Sequence, residues 1–222
     1  MEQFEAQKLY DLLDKKEVLV FDMDGTMANS EPLHFLSHRE MLKKYGAILT
    51  QEEYIKNHME KPDDKHKVDF EKLFNIKLSP DHFEKRFDQY VDLIFKLDLA
   101  PFPYLKPLLE KYKDKQLVVL SASSKELIEK CLQKWDIRGY FCKIISIIDD
   151  KISKKEVFSR AEEFFNCKKE KVAVFEDSAS TINFCNKEKI CTILIEHNFN
   201  KVKHIKSTFK ISEEDDVLGF EY

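Results

Sequence analysis

The chain has 222 residues and a mass of 26.4 kDa, which suits one α/β domain with a modest insertion better than two full-sized domains. Its 37 basic and 41 acidic side chains leave a formal net charge of −4, a balance typical neither of a disordered chain nor of a general polyanion binder. Only four glycines occur, and they form no glycine-rich phosphate loop, so classical dinucleotide-binding and P-loop sites are excluded.

Cysteine spacing and hydropathy indicate the cellular compartment of the protein. The five cysteines form no C-x-x-C pair, so neither a disulfide framework nor a cysteine zinc site is expected. No apolar stretch approaches the length of a signal or membrane-spanning segment, and we expect a cytoplasmic protein with no membrane partner. The lysine-rich segment 201–206 lacks interleaved aromatic residues, which favours a solvated face over nucleic-acid binding. The sequence makes no prediction of the oligomeric state.

The predicted elements alternate between helices and strands along the chain. The first sixteen residues have the apolar spacing of an amphipathic helix. Five short apolar runs then read as strands buried on both faces: 18–21, 117–120, 144–148, 172–175 and 192–195. Helical patterns over 125–135, 154–165 and 180–189 separate the last four of these runs. The alternation predicts an α/β fold with a doubly wound parallel sheet.

A long helical insertion separates the first and second strands. Helical patterns cover 33–45, 51–59, 67–73 and 81–95, and prolines at 101, 103 and 107 mark the return to the sheet. The prediction is therefore an α/β core domain made of residues 1–30 and 100–222, with a helical domain over residues 31–99.

Acidic and hydroxyl side chains follow three of the predicted strands. Asp22 and Asp24 follow the first strand, Ser121 follows the second, and Glu176 and Asp177 follow the fourth. Ligands of open parallel sheets bind beyond these carboxyl ends, so the residues are expected to meet. Four crowded carboxylates repel one another unless a cation neutralises them, and oxygen ligands favour Mg²⁺. Thiol and imidazole ligands are expected to be absent from this edge of the sheet, so a zinc or copper site is not predicted there.

These motifs resemble those of the haloacid dehalogenase-like (HAD) hydrolase superfamily. The matching features are D-M-D-G-T at 22–26, Ser121, a lysine before the third core helix, and the Glu176-Asp177 pair. The stretch D-M-D-G-T-M-A-N-S-E-P-L-H is similar to the subgroup with a helical cap inserted after the first motif, which contains phosphoglycolate-phosphatase-like and β-phosphoglucomutase-like enzymes. The resemblance implies a HAD-like Rossmannoid core and a helical cap that closes over the site as a lid.

The resemblance also implies a role for each motif residue. Asp22 would attack phosphorus and form an aspartyl phosphate, and Asp24 would act as the general acid and base. Magnesium would be held by the Asp22 carboxylate, the Asp24 backbone carbonyl and Asp177, with Glu176 as a direct or water-mediated partner. The residues expected at the phosphate or the substrate are Gly25, Thr26, His34, Ser121 and Ala122.

The family lysine has three candidates in the stretch D-D-K-I-S-K-K-E. Ser153 and Glu156 form a predicted capping box, which places Lys154 at the first position of a helix beside the sheet edge. We therefore predict Lys154 as the catalytic lysine, with Lys151 and then Lys155 as alternatives.

The function expected from these residues is magnesium-dependent hydrolysis of a small phosphorylated metabolite. One alternative is a β-phosphoglucomutase-like sugar phosphomutase, and another is a non-catalytic relative that binds phosphate or a partner. Retention of both Asp22 and Asp24 favours an enzyme, and the scarcity of arginine in the insertion, only Arg39 and Arg86, favours hydrolysis. His34 and His38 are one helical turn apart, but no third ligand is evident and a surface or cap-edge position is expected.

Overall fold

One parallel sheet of six strands organises the computed structural model, which describes residues 3–59, 61–201 and 205–212. The strands are β1 Val18–Phe21, β2 Gln116–Ser121, β3 Lys143–Ser146, β4 Val172–Glu176, β5 Cys191–Glu196 and β6 Phe209–Ser212. Their order across the sheet is β3-β2-β1-β4-β5-β6, and every neighbouring pair is parallel. The prediction of a doubly wound α/β fold is confirmed.

Burial of the central strands explains their continuous apolar sequences. All four residues of β1 are buried, because the strand pairs with β2 on one side and β4 on the other while helices cover the two faces of the sheet. Phe21 lies in register with Val119 and Phe175, and its ring stacks on Phe175 with centroids 4.4 Å apart. The last residue of β1 is thus fixed at the middle of the sheet, and the chain leaves it at the centre of the carboxyl edge.

Ten α-helices connect or flank the strands within the described residues. They are α1 Gln3–Asp14, α2 Glu31–Lys43, α3 Gln51–Asn57, α4 Asp63–Phe74, α5 His82–Lys96, α6 Leu105–Lys111, α7 Lys125–Lys134, α8 Lys154–Ser159, α9 Ala161–Phe165 and α10 Ala179–Lys187. No described helix is both long and apolar enough to cross a membrane.

Serine caps begin three helices near the carboxyl edge of the sheet. The Oγ atoms of Ser124, Ser153 and Ser178 accept hydrogen bonds from the backbone N–H three residues on, at 3.3, 3.1 and 3.5 Å. Each cap satisfies a backbone donor that the helix itself leaves unpaired. The caps therefore fix where α7, α8 and α10 begin.

The chain divides into two units, residues 1–29 with 100–222 and residues 30–99. The first unit contains the sheet. The second consists of α2 to α5, with α2 packed on α5 and a core that includes Leu42, Phe70, Tyr90 and Ile94.

Several element boundaries differ from the predictions. The third strand ends at Ser146 rather than 148, because residues 147–151 form a turn in which Ile148 is 59% exposed. The helix predicted over 154–165 is broken at Arg160, whose φ of −106° and ψ of 28° depart from helical values. Neither α6 nor β6 was predicted. Residues 202–204 of the lysine-rich segment, like residues 1–2, 60 and 213–222, lie outside the described residues.

Candidate active site

The loop after β1 holds the first acidic residues of the site. The backbone N–H of Asp22 donates to the carbonyl of Phe175 at 3.0 Å, which continues the pairing of β1 with β4 by one residue. Gly25 then adopts a φ of +69°, a left-handed conformation that glycine adopts without strain. A Cβ at this position would overlap the Asp177 carboxylate, whose Cγ would be only 2.7 Å away. The tight loop therefore brings the backbone of this segment directly against Asp177.

Two further carboxylates lie at the end of β4, where Glu176 is the last residue of the strand and Asp177 directly follows it. Glu176 and Asp177 are almost fully buried, with 1% and 4% of their surface exposed. The N–H of Ser178 donates to Glu176 Oε1 at 3.2 Å, and the Thr26 hydroxyl donates to Asp177 Oδ1 at 3.5 Å. Backbone and hydroxyl donors from two loops thus orient both carboxylates.

One lysine contacts this acidic cluster. Lys154 is the first residue of α8, and its Nζ lies 2.8 Å from Asp22 Oδ1 and 2.9 Å from Glu176 Oε2. Lys151 is exposed and adopts a φ of +51°, and Lys155 is also exposed. Of the three lysines considered, the structure therefore brings Lys154 next to the predicted nucleophile.

The pKa values of Asp22, Glu176 and Lys154 depend on their burial and on one another's charge. Burial, followed by the neighbouring Glu176, raises the pKa of Asp22 to about 8, although Lys154 acts in the opposite direction. Burial also raises the pKa of Glu176 to about 7, against the effect of Lys154. Burial opposes the charged form of Lys154, but Asp22 and Glu176 outweigh it and raise its pKa. One ammonium therefore does not compensate all the buried carboxylates.

The carboxylate cluster has the composition of a site for a hard divalent cation. One oxygen each of Asp22, Glu176 and Asp177 lies within 4.8 Å of the other two. These are all oxygen ligands, and a cation among them would offset the excess negative charge. The residues present therefore fit a divalent metal ion.

A histidine that the sequence reasoning missed lies beside Asp177. His197 follows β5, is fully buried, and has its Nε2 3.1 Å from Asp177 Oδ2. The Phe199 N–H donates to His197 Nδ1 at 3.2 Å, so Nε2 carries the proton and donates to the carboxylate. The expectation that the site edge lacks imidazole was therefore wrong. Ligands of open parallel sheets bind beyond the carboxyl ends of the strands, and His197 directly follows the fifth strand, so the same reasoning indicates this residue as well.

Asn200 fixes the loop that carries His197. Its Nδ2 donates to the carbonyls of Asp177 and Ile195 at 3.2 and 2.9 Å, and its Oδ1 accepts from the His197 N–H at 2.8 Å. These bonds hold the loop after β5 against the loop after β4. His197 therefore orients the carboxylate of Asp177, and Asn200 fixes its backbone carbonyl.

The loop after β2 contributes hydroxyl groups. The Ser123 hydroxyl donates to Asp24 Oδ2 at 2.8 Å, which orients the second acid of the D-M-D motif. The Oγ of Ser121, the last residue of β2, accepts from the Ser123 N–H at 3.1 Å. Ala122 between them is exposed. Ser123 is thus a site residue that the sequence reasoning did not single out.

Two predicted positions belong to the helical unit. The half-buried ring of His34 stacks on Tyr90 with centroids 3.8 Å apart, and Arg86 Nη1 lies 3.3 Å from His34 Nδ1. His38 was expected near the surface, but only 2% of it is exposed, so that expectation was wrong. His38 contacts Tyr54, His66 and Phe70, so the face of α2 that carries it points into the core of the unit.

Comparison with known proteins gives a consistent family assignment. The family model described as haloacid dehalogenase-like hydrolase matches residues 19–195. A phosphorylated carbohydrates phosphatase of Thermotoga maritima is 30% identical over 173 residues, which cover 75% of this chain and 78% of that protein.

Solved structures show the same fold at lower sequence identity. CbbY from Rhodobacter sphaeroides, in complex with xylulose-(1,5)bisphosphate, is 18% identical with a TM-score of 0.74, covering 88% of this chain and 93% of that chain. A beta-phosphoglucomutase-like protein from Thermotoga maritima is 22% identical with a TM-score of 0.68, covering 89% and 95%.

Proposed function

Because this chain belongs to the haloacid dehalogenase-like hydrolase family and is a phosphohydrolase, we propose that it hydrolyses small phosphorylated carbohydrates through an aspartyl phosphate on Asp22. The observation that carries the proposal is the position of Asp22. Asp22 directly follows the central strand β1, and its carboxylate contacts Lys154. The same carboxylate belongs to the cluster with Glu176 and Asp177.

Asp22 is the proposed nucleophile. A carboxylate oxygen of Asp22 attacks phosphorus, and the bond between phosphorus and the leaving alkoxide breaks. The Lys154 ammonium, 2.8 Å from Oδ1, orients the carboxylate and places a positive charge near the phosphoryl oxygens. The Ser121 hydroxyl is proposed to donate to one of those oxygens, together with the backbone of Ala122, Gly25 and Thr26.

Asp24 is the proposed general acid and base. It protonates the leaving alkoxide and then removes a proton from the water that hydrolyses the aspartyl phosphate. Ser123 fixes this carboxylate through the 2.8 Å hydrogen bond to Oδ2. The carboxylates of Asp22 and Asp24 therefore have separate partners, Lys154 for the nucleophile and Ser123 for the acid.

The proposed cofactor is Mg²⁺, held by Asp22, Glu176 and Asp177 together with the backbone carbonyl of Asp24. When bound, it would supply positive charge that neutralises the carboxylates and the phosphoryl oxygens. His197 keeps Asp177 in its orientation through the hydrogen bond from Nε2 to Oδ2.

The substrate class rests on the relatives. The Thermotoga maritima relative at 30% identity is named for phosphorylated carbohydrates, and the CbbY structure contains a sugar bisphosphate. The chemistry proposed for Asp22 requires only a phosphate monoester. That the rest of the substrate is a carbohydrate is inferred from the relatives alone. The substrate contact that the family resemblance implies for His34 stays a prediction.

Net hydrolysis is favoured over phosphoryl transfer to a second sugar hydroxyl. A mutase must hold a second phosphate, for which arginine is the best-suited residue. Both arginines of the helical unit are engaged within it: Arg86 contacts Asp63 and His34, and Arg39 pairs with Glu40. The arrangement therefore supports a phosphatase.

The experiment is a turnover screen over phosphorylated sugars, nucleotides and glycolytic acids, with and without Mg²⁺. The proposal expects release of inorganic phosphate in step with loss of a sugar phosphate, and no release by the Asp22→Asn variant. A preferred substrate without a carbohydrate part would overturn the substrate class. Accumulation of an isomeric sugar phosphate with little free phosphate would establish the mutase instead.

A further inference from the structure

Histidines are concentrated in the helical unit. Five of the seven histidines of the chain lie between residues 30 and 99, at positions 34, 38, 58, 66 and 82. His38, His58, His66 and His82 are all buried, with at most 4% of their surface exposed. Burying polar rings is costly unless their nitrogens find partners, so a cluster of this kind calls for an explanation.

Two of these rings approach a carboxylate. Ligand atoms of His38, Asp63 and His66 all lie within 4.8 Å of one another, and His66 Nδ1 is 3.7 Å from Asp63 Oδ1. Asp63 and His66 are three residues apart at the start of α4 and share one helix face, while His38 comes from α2. The three side chains therefore converge from two helices.

The hydrogen bonds leave a ring nitrogen of His66 ready to bind a ligand. His66 Nε2 lies 2.9 Å from the carbonyl oxygen of His58, which can only accept, so Nε2 carries the proton. The lone pair of the neutral ring is then on Nδ1, which is buried without a hydrogen-bond partner among the described residues. Metal-binding histidines are oriented in this way, with the second nitrogen donating to a backbone carbonyl.

His38 and Asp63 complete the set. The Nδ1 of His38 is also buried without a hydrogen-bond partner in the part of the chain that the structure describes. Arg86 Nη2 lies 3.2 Å from Asp63 Oδ2 and 3.3 Å from Oδ1, so the guanidinium orients the carboxylate while the remaining lone pairs stay available. Because Arg86 is positive, it weakens the attraction of this cluster for a cation.

We propose that His38, Asp63 and His66 form a second metal site, in the helical unit, for a borderline divalent transition ion such as Zn²⁺. Two imidazoles and one carboxylate are the ligands such an ion prefers, whereas Mg²⁺ prefers oxygen ligands throughout. Bond lengths of about 2.0 to 2.1 Å place tetrahedral ligand atoms about 3.3 Å apart, so atoms that now lie within 4.8 Å of one another must approach by at most about 1.5 Å. The fourth position is open to water.

A bound ion would join α2 to α4. It would bind the folded unit more tightly than the unfolded chain, and would therefore stabilise the fold by an amount that rises with the logarithm of the free ion concentration. This site uses none of the residues proposed for phosphate chemistry, so a test of the metal site does not depend on whether the proposed function is correct.

The test is a Zn²⁺ titration of the full chain by calorimetry, with excess Mg²⁺ present to occupy the carboxylate cluster. Wild type, His38→Ala, His66→Ala and His82→Ala are compared. His82 is the matched control, since it is an equally buried histidine of the same unit that is not among the three ligands. The proposal expects one fewer zinc ion in the His38 and His66 variants than in wild type and His82→Ala.

Two further measurements distinguish a lost metal ligand from a variant that does not fold. Asp63 has 43% of its side chain exposed, so Asp63→Asn is expected to fold and to bind zinc at least tenfold more weakly. In unmodified protein, zinc is expected to shift the ring C–H proton resonances of His38 and His66 and to leave those of His82 unchanged. The same zinc stoichiometry and affinity in all variants, or no saturable binding by wild type at micromolar zinc, would overturn the proposal.

Discussion

The Nζ of Lys154 lies between two carboxylates, 2.8 Å from Asp22 Oδ1 and 2.9 Å from Glu176 Oε2. Asp22 directly follows β1, and Glu176 is the last residue of the neighbouring strand β4, so the lysine at the start of α8 contacts the ends of two adjacent strands. Because at most 15% of each of the three side chains is exposed, each contact is stronger than it would be in water. The placement of Lys154 thus depends on the cap at Ser153 that begins α8.

Replacing Lys154 with Ala is expected to lower kcat/KM by about 100-fold or more, because a positioned charge next to the nucleophile is lost. Lys151→Ala and Lys155→Ala serve as matched controls, since both side chains are exposed. Steady-state kinetics on the three folded variants measures the effect. An inactive Lys151 variant beside a Lys154 variant of nearly normal activity would show that Lys154 is the wrong lysine.

Replacing Gly25 with Ala is expected to abolish most activity, because the new Cβ would overlap the Asp177 carboxylate. Gly46 supplies the control: its φ is +74°, yet a Cβ there would meet nothing within 4 Å. Both variants bear the same backbone strain, of about 1 to 2 kcal/mol, in the free energy of unfolding. Only Gly25→Ala should lose turnover and metal binding. Equal kcat/KM in the two variants would refute the close approach of Gly25 to Asp177.

His197 is expected to act as a positioning residue for Asp177. Its replacement by Ala removes the N–H donor to Oδ2, and the Mg²⁺ concentration needed for half-maximal activity should rise about 10-fold or more. The turnover number at saturating Mg²⁺ should change much less. His197→Gln, which can still donate an N–H, should recover part of the Mg²⁺ affinity. An unchanged Mg²⁺ dependence in the Ala variant would contradict this role.

His82 is expected to make the fold sensitive to acid. Burial, followed by the positive Arg86, lowers its pKa, although Asp63 opposes the change. Between this lowered pKa and the ordinary value near 6.5, the unfolded chain binds more protons, so the free energy of unfolding falls as the pH falls. The slope from one such group is at most about 1.4 kcal/mol per pH unit.

The comparison is urea unfolding of wild type and His82→Phe at about pH 7.5 and about pH 5.5, with a chelator present. The difference between the two proteins isolates His82 from the other groups that titrate in this range. The variant should lose less stability on acidification than wild type does. His82→Leu is a second variant if Phe does not fit. Equal losses in wild type and the variants would show that His82 does not titrate as proposed.

The sequence was informative where strand ends carry polar residues. Asp22, Glu176 and Asp177 follow fully buried apolar runs, so the sheet edge on which they meet could be predicted from the order of the strands. His197 follows β5 in the same way, so the end of the fifth strand carries the same kind of signal. The contact between His197 and Asp177 itself depends on the turn fixed by Asn200, which no local pattern indicates.

Other parts of the fold have weak local signals. The edge strand β6 has the sequence F-K-I-S, and its two apolar residues alone do not distinguish a strand from a loop. Pro107 obscured α6, although a proline in the first turn of a helix removes no internal hydrogen bond. The burial of His38 arises from the packing of α2 against other helices, and that packing is decided by tertiary contacts rather than by sequence spacing.

The central claim is that Asp22 carries the phosphoryl group. The most direct measurement is an acid quench during turnover of a substrate labelled with radioactive phosphate, followed by peptide mapping. The Asp24→Asn variant, which should hydrolyse the intermediate slowly, is run in parallel to increase its amount. We predict a hydroxylamine-sensitive label on the peptide that contains Asp22, and none in Asp22→Asn. Label on another residue, or phosphate release by a folded Asp22→Asn protein at the wild-type rate, would contradict the account.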